Sequence, residues 1–515
     1  MKKFMLLWLL ASSLVWADPV AKTPFEQTKK QSLPDSQMIS HYLAALDKTS
    51  DHAKLVQLGP SAGGRPIEAL LLSGSAAFLQ HPANETGKAT VMMFGSQHGN
   101  EPAGAEAMLQ LARELVAGQH PALLQRLNLV LVAMANPDGR DLTARHNANN
   151  DNTNIDYVAL QASETRLLVD ALHSFNPDVV YDAHESGIWK RILTKEQGWM
   201  TDVEAQFDMG NNPNIDHALH DYTEHRLLPA LIERVSAAGL PASRYRGEIT
   251  RLEQSVARGG LGITNLRNYA AMQGRVSILV ENRLDNKDGR YDTPRNIAER
   301  VRKQHVSMLA MLQLVADETD TLLTVSRDAR QHWTSGAEGE QVLSMGVSFG
   351  VNGRQPEVQI PLVRFADGHK ALHRFANHDA VVSRKPVALP AAYAITRERE
   401  RLALWLARHH IAFTTQATAR TLQVDKLVIT GLRVQPKSRP GVREKVQADV
   451  EVTRASLTLQ PGDLLVPMNQ PLAPLAALML DPRSANALYQ EAEWPWLALG
   501  EFPVYPVIET AAEAP

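Results

Sequence analysis

The stretch Val91-Met92-Met93-Phe94-Gly95-Ser96-Gln97-His98-Gly99-Asn100-Glu101-Pro102-Ala103-Gly104 carries an apolar run into a polar loop and then into a helix. Val91 to Phe94 have strand character, and Pro102 suits a first helical position, where its missing N–H would be unpaired anyway. His98 and Glu101, three residues apart, therefore share one strand-to-helix loop, in which Gly95 and Gly99 permit tight turns. An imidazole and a carboxylate so placed can converge on one metal ion, but a catalytic zinc takes three protein ligands and keeps one position open. With 18 histidines in the chain, about one H-x-x-E arises by chance on ordinary composition, so the pair alone reads equally well as a polar loop.

The pattern around this stretch repeats strand, loop and helix. Ala89 to Gly95 reads as a strand, and Ala103 to Ala117 as a helix with Ala107, Leu111 and Leu115 on one face. Leu127 to Met134 is a second buried strand, ending in Asn136-Pro137-Asp138-Gly139. Ser163 to Phe175 is a helix, and Asp178 to Tyr181 a third strand running into Asp182-Ala183-His184-Glu185. Arg275 to Val280 is a fourth, ending at Glu281-Asn282-Arg283. Continuous apolar strands alternating with helices indicate an α/β sheet covered on both faces.

Ligands of open α/β sheets bind at the carboxyl ends of the strands, so four polar strand ends can meet in one cleft. In that setting His184 is the natural third ligand beside His98 and Glu101, and Glu281 is a carboxylate left for proton transfer. Each has a plainer reading. A lone histidine at a strand end is more often structural, Glu281 can pair with Arg283 or Arg275, and Asp182 is either a structural carboxylate or a support for an imidazole.

Composition sets the frame. At 515 residues, with 44% apolar and 21% charged residues, the chain is globular and too long for one ordinary core. A net charge of -3 favours neither nucleic acid nor an anionic membrane surface. Residues 1–17, with Lys2 and Lys3, an apolar stretch from Phe4 to Leu10 and the small-residue end at Ala17, have the order of a secretory signal peptide. The expected location is periplasmic or secreted, with no membrane span after cleavage. With no cysteine, neither a disulfide nor a lipid anchor on Cys is available.

The residues quoted above, together with Leu58-Gly59-Pro60-Ser61-Ala62-Gly63-Gly64-Arg65-Pro66-Ile67, Arg145, Asn147 and Asn154, give residues 36 to about 315 the order of motifs of the zinc metallocarboxypeptidases of the carboxypeptidase A superfamily, which this stretch resembles. The resemblance implies one zinc ion per chain, bound by His98, Glu101 and His184, with Glu281 as general base and acid. It implies that Arg145 steadies the oxyanion and that Asn154 contacts the substrate. It also makes Tyr269 the counterpart of a mobile pocket tyrosine. The family's asparagine is followed by an arginine that holds the substrate's terminal carboxylate; here Ile155 follows, and isoleucine cannot form that bidentate pair. Arg258, Arg267 or Arg275 can replace it from another loop. Otherwise the substrate lacks that carboxylate, as for an amidase or endopeptidase of murein peptides or an N-acyl amino acid deacylase, or turnover is lost and the protein only binds peptides.

The expected organisation is a signal peptide at 1–17, a lead-in at 18–35, an α/β/α sandwich around a mixed sheet at 36–318, and a smaller β-rich domain at 319–515. Between the third and fourth strands, residues 187–274 form an insertion that shapes the pocket. There His217, His220 and Glu224 can share a helix face as a second metal site or, more simply, as a solvated face. Trp494-Pro495-Trp496 can line a sugar-binding surface or an aromatic core. The expected substrate is a peptide or cell-wall peptide.

Overall fold

The computed structural model describes residues 20–82, 87–187, 190–284, 297–334, 341–435, 445–491 and 497–509. The signal-peptide segment and Trp494-Pro495-Trp496 lie outside the described residues. Nine strands concern the site: β1 (Ala53–Pro60), β2 (Pro66–Ser73), β3 (Ala89–Phe94), β4 (Leu127–Val132), β5 (Val179–Gly187), β6 (Trp199–Thr201), β7 (Ala205–Met209), β8 (Ala242–Arg244) and β9 (Val276–Leu284). All but β6 form one eight-stranded mixed sheet in the order β1-β2-β4-β3-β5-β9-β7-β8. Its centre, β4-β3-β5-β9, is parallel, and these strands are almost wholly buried, as their unbroken apolar runs require.

Side chains alternate across a strand, so β5 sends Tyr181, Ala183 and Glu185 to one face and Asp182 and His184 to the other. On the first face Ala183 lies close against Gly104 of the helix Ala103–Val116. There Glu185 accepts from the Ala103 backbone N–H at 3.0 Å and from Arg300 of the helix Ile297–Asp317 at 2.6 and 2.9 Å. On the opposite side Tyr157 packs at a tilt against Tyr269 of the short helix Leu266–Ala271, ring centroids 5.4 Å apart. The site thus lies on the face that the two long helices leave free.

The loop holding His98 and Glu101 is fixed from below. Asn136 caps the helix Pro137–Leu142 by accepting from Gly139 N–H at 2.9 Å. The Asp138 carboxylate then accepts from Ser61 Oγ (2.9 Å), Gly63 N–H (2.8 Å) and Arg65 Nη1 (2.8 Å), tying the β1–β2 turn to the same spot. Gly95 and Gly99 serve here through close approach rather than through turning freedom. The left-handed residue of the loop is Ser96 (φ 52°), whereas a Cβ on Gly99 would fall 1.9 Å from the Gly139 carbonyl carbon. Because backbone on backbone cannot relax as a side chain can, Gly99→Ala is expected to cost about 3 kcal/mol or more. It should also weaken metal binding by moving both neighbours; thermal denaturation and a zinc titration check this, and an unchanged zinc affinity would contradict the packing argument.

The later residues do not form an isolated satellite. Strand β11 (Glu357–Arg364) lies between β12 (Lys370–Ala376) and β6, pairing Leu362 with Thr201, where β10 (Val342–Gly350) has already opened the β-rich part of the chain. A larger antiparallel sheet is built round the long hairpin of Arg420–Gln435 and Lys445–Leu459. Trp405 Nε1 and His409 Nε2, from the end of the helix Arg399–Arg408, both donate to the Val158 carbonyl, at 2.9 and 3.0 Å.

Candidate metal centre and active site

His184 and Glu281 were expected just beyond their strand ends. Both instead lie within β5 and β9, directly paired in register (His184↔Glu281), so their side chains emerge side by side on one face. His98 and Glu101 come in from the loop after β3, the next strand over. Glu101 Oε1 lies 2.9 Å from His98 Nδ1, Glu101 Oε2 lies 2.8 Å from His184 Nδ1, and the two Nδ1 atoms are 3.2 Å apart. All three side chains are buried.

Two imidazole nitrogens facing each other with one carboxylate across both is a convergent donor set, and His2Glu is a set zinc takes. The residues therefore fit zinc. Among the described residues no second cluster of this kind occurs. Glu224 is held by Arg244 (2.6 Å) and Arg258 (2.9 and 3.0 Å), while His217 contacts Asp221, so the 217–224 face is a salt-bridged surface and no metal site.

Charge follows the geometry. Burial alone would raise Glu101, but the two imidazoles outweigh it and hold its carboxyl well below the usual range. Burial pushes His98 down; burial also opposes the charge on His184, yet Asp182 and Glu101 raise it well above an ordinary histidine. Asp182 Oδ2 lies 3.1 Å from His184 Nε2, while its Oδ1 accepts from Gln97 Nε2 at 2.6 Å, as befits a carboxylate that orients an imidazole. Burial pushes Glu281 up to about 8. Arg283 binds Glu204 and Arg275 binds Gln273, so neither neutralises Glu281. Among the described residues its carboxylate makes no hydrogen bond or ion pair.

A cavity of about 310 Å³ opens over these groups, lined by His98, Glu101, Arg145 and Glu281 and, from the long insertion, by Lys190, Tyr245 and Glu248. Arg145 Nη1 reaches Glu101 Oε1 at 3.1 Å from a half-exposed position. One of the other expected substrate contacts, Tyr269, needs correction. Tyr269 is buried, with its hydroxyl donating to His409 Nδ1 at 2.9 Å, and it is no part of the cavity lining. Its side chain is committed to His409 and packs on Tyr157, so spacing to Glu281 was a poor guide. Tyr245 lines the cavity in its stead. Asn154 sits 3.5 Å from Gln97 Nε2, outside the lining. Arg258, Arg267 and Arg275 are bound to Glu224, Asp208 and Gln273 and do not reach the cavity. Tyr245, Lys190 and Glu248 lie in the insertion expected to shape the pocket, but no periodicity distinguishes them within it.

The family model described as zinc carboxypeptidase matches residues 39–185, a span that holds His98, Glu101 and His184. That stretch is similar to zinc carboxypeptidases. Glu281 lies beyond that match and joins the matched residues through the β5–β9 pairing. Carboxypeptidase 2 of Trichophyton rubrum is 24% identical over 460 residues, 86% of this chain and 81% of the relative. Carboxypeptidase SOL1 of Arabidopsis thaliana is 25% identical over 161 residues, 30% of this chain and 28% of its own. Among solved structures, a metallo-carboxypeptidase from Burkholderia cenocepacia is 20% identical, with a TM-score of 0.42 over 55% of this chain and 69% of that one.

Proposed function

We propose that this protein is an exported, zinc-dependent carboxypeptidase that removes the terminal residue of a peptide. The observation that carries the reading is the register pairing of the cavity-lining Glu281, unpartnered among the described residues, with His184 of a buried His98–Glu101–His184 set. One zinc held by those three side chains would supply Lewis acidity and bring a water's pKa to about 7. Glu281 takes the proton of the attacking water and delivers it to the departing amine nitrogen. Arg145 donates to the carbonyl oxygen as negative charge develops there. A protein that merely bound peptides would have no use for a half-buried carboxylate that no described residue pairs. The signal-like residues 1–17 support export, and no described helix is long and apolar enough to cross a membrane.

The second reading, an amidase or endopeptidase of cell-wall peptides, is favoured by Ile155 and by the engagement of Arg258, Arg267 and Arg275 elsewhere. The two part in one experiment. Zinc-loaded protein is incubated with peptides in free-carboxyl and carboxyl-amidated forms, together with cell-wall peptides, and the products are read by mass spectrometry. Loss of single residues from free-carboxyl ends alone is the expected result. Cleavage indifferent to the end group, or limited to cell-wall peptides, would replace the first reading by the second.

A further inference from the structure

We infer that Lys190 binds the terminal carboxylate of the substrate and takes the place of the arginine missing at Ile155, an inference that rests on the carboxypeptidase reading. The cavity already contains Glu101, Glu281 and Glu248. A substrate carboxylate leaving water for such a place needs a cation, because an unpaired charge there is strongly unfavourable. Among the described residues two cations line the cavity, Arg145 and Lys190. Arg145 is directed to Glu101 at 3.1 Å, beside the ligand set, where it can serve the reacting carbonyl. Among the described residues the Lys190 ammonium pairs with Glu248 alone, at 3.4 Å, and the side chains are 21% and 61% exposed.

That distance exceeds the 2.7–2.9 Å or so of a close charge-assisted bond, and an ion pair whose carboxylate is this exposed contributes about 0–1 kcal/mol. An incoming carboxylate can therefore displace Glu248 from Lys190 at little cost. The position fits as well. Lys190 follows His184 closely in the chain, and Glu185, Ser186 and Gly187 between them line the same cavity, as do Thr201 and Tyr245, whose hydroxyls are further donors. A lysine offers a point charge with three donors rather than a planar fork, so it accepts a carboxylate in more than one orientation.

The test compares wild type with Lys190→Met, Lys190→Arg and Glu248→Gln. The substrates are an N-acetylated dipeptide panel offered both as free acids and as carboxamides. Calorimetric binding of N-acetyl amino acids and their amides to the zinc-loaded proteins gives a readout apart from turnover. Lys190→Met is expected to raise KM for the acids about 10–100-fold, leave kcat within a few-fold, and leave the amides unchanged. Lys190→Arg should restore most of the loss, and Glu248→Gln should tighten binding of the acids by freeing the lysine. Equal effects on acids and amides, or none, would overturn the assignment of Lys190 while wild-type preference for acids left the carboxypeptidase reading standing. A wild type that neither cleaves nor binds acids in preference to amides would overturn both.

Discussion

Glu281→Gln is expected to lower kcat by about 10²–10⁴-fold, the usual contribution of a positioned acid–base group, while zinc stays bound. The amide keeps the shape of the side chain and removes only its ability to carry the proton, and Glu281 is not in the ligand cluster. Full activity in the variant would remove the mechanism. The same substitution has an effect without zinc or substrate. In the folded metal-free protein burial holds Glu281 at about 8 against its ordinary 4.5, so the folded state keeps a proton that the unfolded chain has lost across that window. Stability then falls as pH rises from about 5 to 8, and the penalty reaches about 3 kcal/mol at pH 7. Metal-free Glu281→Gln should therefore melt above metal-free wild type at pH 8 and level with it at pH 5. A difference independent of pH would mean that the carboxylate is not desolvated.

Legibility in the sequence followed the range of the forces involved. The four central strands were readable because a strand buried on both faces must be apolar throughout, and Val91 to Phe94 and Leu127 to Val132 are. Their polar ends brought His98, Glu101, His184 and Glu281 together by topology, without any knowledge of side-chain direction. The lengths of β5 and β9 were not readable, because both continue through polar residues that the site rather than the core requires. The pocket walls were harder still. Tyr245 and Lys190 reach the cavity from an insertion with short, partly exposed elements, where neither period 2 nor period 3.6 applies. Tyr269 misled for the complementary reason: nothing local reveals that its hydroxyl meets His409, 140 residues away. Gly99 was rightly read as needed and given the wrong physical reason, since a close approach to Gly139 is tertiary and invisible in a turn pattern.

Removal of zinc is expected to abolish turnover reversibly and to lower the melting midpoint by about 4 °C. The second figure follows from mass action: a ligand at a thousand times its Kd adds about 4 kcal/mol. A chain of this length has an unfolding entropy of about 1 kcal/mol per degree. The stabilisation has a local origin, since a metal would join Glu101 and the two imidazoles, whose mutual contacts run at 2.8, 2.9 and 3.2 Å. His184→Ala should neither bind zinc in the site nor recover at any zinc concentration, because two donors remain of three. Asp182→Asn separates support from ligation. Its carboxylate lies 3.1 Å from His184 Nε2, and loss of such a partner weakens a metal by about 10–100-fold. Saturating zinc should then restore the kcat of Asp182→Asn but not that of His184→Ala. If excess zinc rescued both variants or neither, Asp182 and His184 would not hold the different places in the site that their geometry gives them.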